Sequence, residues 1–136
     1  MTANAAPMFV GQGQSAWCTL TTQNTAIDGT GTVGTCFTAD ATNGSFLESL
    51  RIQPLGTNVP TVLRVFENNG STNATAANNT LLFEVTLPTT TASAVAALPS
   101  ILYPMNRLMA PGYKINVTLG TTVSAGWQVT GAGGKY

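Results

Sequence analysis

The feature that most constrains this chain is its punctuation. From residue 15 onward, short apolar runs alternate with clusters of Gly, Pro, Asn and Asp, and no segment sustains a helical period. Runs of this length, alternating every second residue and bounded by turn residues, are the signature of strands in an all-β sandwich or barrel. Strands are expected over 15–22, 32–39, 45–53, 61–67, 81–87, 113–119 and 125–131. Asp28-Gly29 and Asn43-Gly44 mark tight turns between them. In the third run, Phe46, Leu47, Leu50 and Ile52 break strict alternation between 47 and 50, which points to a bulge. The segment 98–105 carries Pro99 and Pro104 and is at most an edge strand. The Thr/Ala run 92–98 fits either one helical turn or an extended crossover. Residues 133–136 read as a tail. The expectation is one all-β domain over 15–136: an antiparallel β-sandwich of seven or eight strands, jelly-roll-like in topology.

The surface of such a sandwich has to be built from what the chain contains. Only 7% of the 136 residues are charged, five basic against five acidic, where a soluble domain usually carries about 25%. Threonine alone occurs 23 times, and Thr, Ser, Asn and Gln together make 46. A neutral, hydroxyl- and amide-rich coat neutralises few phosphates, which argues against nucleic acid as a partner. No apolar run reaches the roughly 18 residues of a membrane span. The first ten residues lack the basic start and long apolar stretch of a secretory signal. Near-zero net charge favours association over repulsion, so much of this surface is expected to face another subunit.

Chemistry is correspondingly thin. There is no histidine, the usual general base and metal ligand. Asp28 and Asp40 sit in turns, and Glu48, Glu67 and Glu84 have no second acid close in sequence. Gly29, Gly31 and Gly34 have no following helix to make a phosphate site. Cys18 and Cys36 lack both an imidazole partner and metal-ligand spacing. They read as buried free thiols, close together if their strands pair. The chain is thus expected to be no enzyme, with no catalytic, cofactor-binding or metal-binding residues. Arg51 and Arg64 are expected to pair with strand carboxylates such as Glu48 or Glu67. Trp17, Trp127, Tyr113 and Tyr136 are candidate core or interface anchors. Residues 1–14 read as an extended N-terminal arm, with Met8-Phe9-Val10 as an apolar patch and Gly11-Gln12-Gly13-Gln14 as a flexible link; extended, it spans about 45 Å. Met8, Phe9, Val10, Trp17, Arg107 and Tyr136 are the candidate interface residues. The polar loop 68–80 is the alternative candidate surface, for a glycan.

Several stretches taken in order resemble a known family. They are Asp28-Gly29-Thr30-Gly31-Thr32-Val33-Gly34-Thr35 before Phe37-Thr38-Ala39, then Asn43-Gly44-Ser45 leading into Leu50-Arg51-Ile52. Val62-Leu63-Arg64-Val65-Phe66 and Leu81-Leu82-Phe83-Glu84-Val85 flank the polar loop, and Ala110-Pro111-Gly112-Tyr113 precedes the closing Gly133-Gly134-Lys135-Tyr136. Read so, residues 15–136 resemble the short all-β structural proteins of tailed bacteriophages, some of which are head decoration (cement) proteins. Lys135 stands where such proteins often carry Asp. The resemblance implies a virion protein on the outer capsid surface, assembled in the host cytoplasm. It further implies a homotrimer that binds the major capsid protein, with no cofactor and no catalytic residues. The alternative is a tail, fibre or cell-surface module that binds glycan.

Overall fold

A computed structural model describes residues 10–136. Among them are eight strands: β1 (Gln12–Leu20), β2 (Gly34–Thr38), β3 (Ser45–Pro54), β4 (Thr61–Asn68), β5 (Asn79–Leu87), β6 (Ile101–Met109), β7 (Lys114–Leu119) and β8 (Trp127–Lys135), with one short 3-10 turn at Ala76–Asn78. They form two antiparallel four-stranded sheets packed as a β-sandwich. Sheet 1 has the order β1-β8-β3-β6 and sheet 2 the order β2-β7-β4-β5. The pairing is nested: β1 with β8, β2 with β7, β3 with β6 and β4 with β5.

The apolar alternation of the strands becomes the core. Leu47, Leu50 and Ile52 of β3 face Leu63 and Val65 of β4, with Ile115, Val117, Leu119, Trp127 and Val129 from β7 and β8; all are buried. Each such side chain contributes about 1.5–3 kcal/mol by leaving water. Trp127 is therefore a core residue, and Tyr113 packs on the rim of the same cluster.

Local chemistry sets the bends. The register slips at Leu47/Ser49 against both neighbours, which places a bulge where the alternation breaks and leaves Glu48 exposed. On β6 the same irregularity puts Asn106 at φ 46°, a left-handed geometry that asparagine tolerates better than most residues. Gly44, at φ 78°, makes the expected tight turn, but β2 and β3 lie in different sheets, so the turn is a corner between the sheets and not the hairpin that Asn43-Gly44 suggests; a Cβ there would lie 2.5 Å from the Met109 carbonyl. Asn58, only 2% exposed, holds one end of the sandwich together. Its amide donates to the Gly126 carbonyl at 3.1 Å, and its Oδ1 accepts from the Ala125 and Gly126 N–H groups at 3.1 and 2.8 Å. Its backbone exchanges two 3.1 Å hydrogen bonds with Thr90. One side chain thus fixes the β3–β4, β5–β6 and β7–β8 connections to each other.

Two sequence expectations change, and one left open is decided. Gln12–Gln14, read as a flexible link, open β1 and pair with Gly133–Lys135. Those last residues, read as a tail, complete β8. β8 is glycine-rich there because it is an inner strand: a Cβ on Gly133 would collide with the Phe46 carbonyl, and one on Gly134 with the Val10 side chain. The Thr/Ala run 92–98 forms no helix and runs as a bent, extended crossover. The segment around Pro104 is indeed an edge strand, β6, but it reaches to Met109.

Candidate interaction face

A sandwich has two outer faces, and here they differ. The outer face of sheet 2 is covered by the chain itself. Phe66, Asn116 and Thr118 point away from the core yet are buried, because the loops 21–33 and 69–78 lie over them. Asparagine amides bind those loops together. Asn24 Nδ2 donates to the Thr30 and Thr32 carbonyls, both at 2.8 Å. Asn73 Nδ2 donates to the Gly29 and Gly31 carbonyls at 3.1 and 2.7 Å, and Asn79 Nδ2 to the Asp28 carbonyl at 3.1 Å. Arg64 anchors the cover from below, with Nε donating to Glu84 at 2.7 Å and Nη1 to the Asn24 carbonyl at 3.5 Å.

The outer face of sheet 1 carries no such cover among the described residues. Strand register puts its side chains in rows that cross β1, β8, β3 and β6 in turn. One row is Trp17, Thr130, Arg51 and Leu102; the next is Ser15, Ala132, Ser49 and Pro104; the third is Gly13, Gly134, Phe46 and Leu108. The middle of this face is small and flat, while large apolar groups stand at its margins. Trp17 is 63% exposed, Leu102 58% and Leu108 72%, with exposed Val10 beside Gly134. Arg51 is the one charge in these rows, and its Nη1 donates to Ser100 Oγ at 3.3 Å. A flat surface edged by large apolar groups, with Arg51 and the exposed Glu48 of β3 as its charges, is a candidate interaction site.

The sequence-derived interface residues divide accordingly. Val10 and Trp17 lie on this face. Met8 and Phe9 fall outside the described residues. Arg107 turns the other way: it closes the β6 side of the sandwich, with Nε and Nη2 donating to the two oxygens of Glu67 at 2.6 and 3.0 Å. This bidentate contact holds the guanidinium above its ordinary pKa. Its role is therefore internal. Of the arginine–carboxylate pairs expected, that of Arg64 forms, with Glu84 of β5, whereas Arg51 reaches Ser100 and Glu67 is taken by Arg107. Tyr136 is half-buried at the end of β8, where its N–H donates to the Gly44 carbonyl at 3.4 Å and its own carbonyl accepts from Asn43 Nδ2 at 3.2 Å.

Phe46, Leu102, Pro104 and Leu108 were not among the sequence-derived residues. The signal was present as an every-second-residue pattern through 102–108, hidden by the two prolines that made the segment look broken.

Among the described residues no group of His, Cys, Asp and Glu is placed to hold a metal. Asp28 and Asp40 act as turn residues. Thr30 Oγ1 and N–H donate to Asp28 at 2.6 and 3.1 Å, and the N–H groups of Asn43 and Thr42 donate to Asp40 at 2.9 and 3.2 Å. These bonds hold both carboxyls below their ordinary pKa. The loop 68–80 borders two clefts: a polar one of about 200 Å³ with Thr35, Asn68, Asn73, Lys114 and Asn116 in its wall, and one of about 170 Å³ walled by Glu67, Asn69, Asn78 and the ring of Tyr113.

The chain was compared with protein-family models, with curated proteins and with solved structures. None matches it.

Proposed function

We propose that this chain is a bacteriophage virion protein of the decoration (cement) type, which binds the outside of the head through the bare face of sheet 1 and bridges major capsid protein subunits. The reading combines the sequence resemblance with one structural asymmetry that supports it: sheet 2 is covered by its own loops, whereas sheet 1 offers a flat neutral surface edged by Trp17, Leu102 and Leu108. Symmetric copies, with a trimer as the expected form, bury such margins against each other and against the shell. A protein that binds the assembled shell and not its free subunits stabilises assembly by mass action. We further read the nested strand pairing as a jelly roll, and residues 1–14 as a latch on a neighbouring subunit, now with its last residues committed to β1.

The test is co-sedimentation of purified protein with undecorated phage heads, alongside the triple variant Trp17→Ser, Leu102→Ser, Leu108→Ser. Wild type is expected to pellet saturably, with Trp17 fluorescence becoming resistant to iodide quenching, and the variant to remain soluble, folded and unbound. Variant binding at wild-type occupancy refutes the face. A saturable signal on a glycan array, with no binding to heads, would replace the reading by the glycan-binding alternative.

A further inference from the structure

The sandwich has two open sides where the sheets end. On one, β5 and β6 are the edge strands, and side chains close the gap. Phe83 of β5 stacks on Tyr103 of β6 with ring centroids 4.2 Å apart and planes 8° from parallel, next to the Arg107–Glu67 pair. On the other side the edge strands are β1 and β2, which run against each other where the sheets meet. No ion pair or aromatic stack joins those two strands among the described residues. Cys18 of β1 and Cys36 of β2 sit there instead. The strands carrying them do not pair but belong to different sheets, and the two cysteines approach each other across the edge.

Both thiols are free, Cys18 half-buried and Cys36 fully buried. The approach is close: a Cβ on Gly34 of β2 would lie 2.8 Å from Cys18 Sγ. Cys36 Sγ lies 3.6 Å from the Ile115 carbonyl and next to Cys18. We propose that Cys18 and Cys36 are an oxidisable pair, and that a disulfide between them, formed by exchange with a small-molecule disulfide, clasps β1 to β2 across the open side of the sandwich.

The steps balance. The Cys18 thiolate attacks one sulfur of the small disulfide and expels a thiolate. Cys36 then loses its proton to solvent, attacks Cys18 Sγ and expels the second thiolate. The protein gives up two electrons and two protons, and the small disulfide is reduced to two thiols. The environment orders these steps. The neighbouring Cys36 lowers the Cys18 pKa, whereas Cys36 is pushed well up by the nearness of Cys18 and then by burial. Cys18 is therefore the entry point, and closure by Cys36 is the slower step, accelerating as pH rises. The 17 residues between Cys18 and Cys36 form a loop whose closure restricts the unfolded chain. For a ring of that size the melting temperature of this domain should rise by about 10 °C.

The experiment uses the full chain, reduced and then incubated with oxidised glutathione. The expected product is a monomer lighter by two hydrogens, with no thiol open to alkylation in denaturant and with the higher melting temperature, reversed by dithiothreitol. Cys18→Ala should melt at one temperature under both conditions, and it keeps the test valid if the buried Cys36→Ala variant does not fold. Overturning results are two alkylatable thiols after treatment, a stable glutathione adduct on Cys18, disulfide-linked dimers, or a closed disulfide that leaves melting unchanged or lowered.

Discussion

Replacing Asn58 by alanine isolates the interaction that holds three connections together. The variant loses three hydrogen bonds of 3.1 Å or shorter, to the Ala125 and Gly126 N–H groups and the Gly126 carbonyl, along with longer contacts to Gly56 and Thr90. The site is closed to solvent, so the abandoned N–H and carbonyl groups have no ready replacement. At about 1 kcal/mol net for each good bond, the loss is about 3 kcal/mol. An unfolding entropy of about 2.1 cal/mol/K per residue converts this to a fall of about 10 °C in melting temperature. Urea denaturation followed by the fluorescence of buried Trp127 reads the same quantity as a shift in midpoint. Asn69→Ala is the control: Asn69 is exposed, and its two contacts, donation to Asn78 at 3.2 Å and acceptance from the Ser71 N–H at 3.1 Å, lie at the surface where water can replace them, so the expected change is within about 0.5 kcal/mol. A cost for Asn58→Ala no larger than the control would refute the claim that this side chain joins the loops.

Two further outcomes follow from the ion pairs and turns. Arg107→Met leaves the Glu67 carboxylate, only 11% exposed, without its partner, and should cost about 1–3 kcal/mol in urea, whereas Arg107→Met with Glu67→Leu should recover part of that loss. Asp28 and Asp40 have folded pKa values depressed by hydrogen bonds to their ionised forms, so their contribution is present above the unfolded carboxylate range and is lost as pH falls through the folded values. Melting temperature should therefore be flat near neutrality and decline below about pH 4; Asp28→Asn with Asp40→Asn should flatten that decline, and an unchanged acid slope would count against these turns.

Elements whose identity rests on local patterning could be read from the sequence. The alternation of Phe83, Val85 and Leu87 specifies β5, although a register shift at Leu82 turns Leu81 outward; Asn43-Gly44 specifies a tight turn, though one that joins the two sheets; and the broken alternation near Leu47 locates the bulge. Elements specified by long-range contacts could not. Residues 133–135 look like a tail because glycines carry no alternation; only the close approach of Phe46 and Val10 requires them. Arg107 looks like an exposed contact residue until β4 places Glu67 opposite it, 40 positions away. Asn58 is one asparagine among many, and its role depends on Thr90 and Gly126 arriving from distant connections. The bare face was half legible: Trp17 stood out, whereas Leu102 and Leu108 were obscured by prolines that an edge strand accommodates.

The pairing of β1 with β8 also dictates a timetable. β8 is an inner strand of sheet 1, hydrogen-bonded to β1 on one flank and β3 on the other. While the chain is being synthesised, sheet 1 lacks its middle, and the strand made first must wait for the strand made last. Sheet 2 needs nothing beyond β7, so it can assemble while residues 127–135 are still within the ribosome. A nascent chain stalled before that point would present two strand edges with no mate, and the flat face discussed above would come into existence only once β8 has emerged.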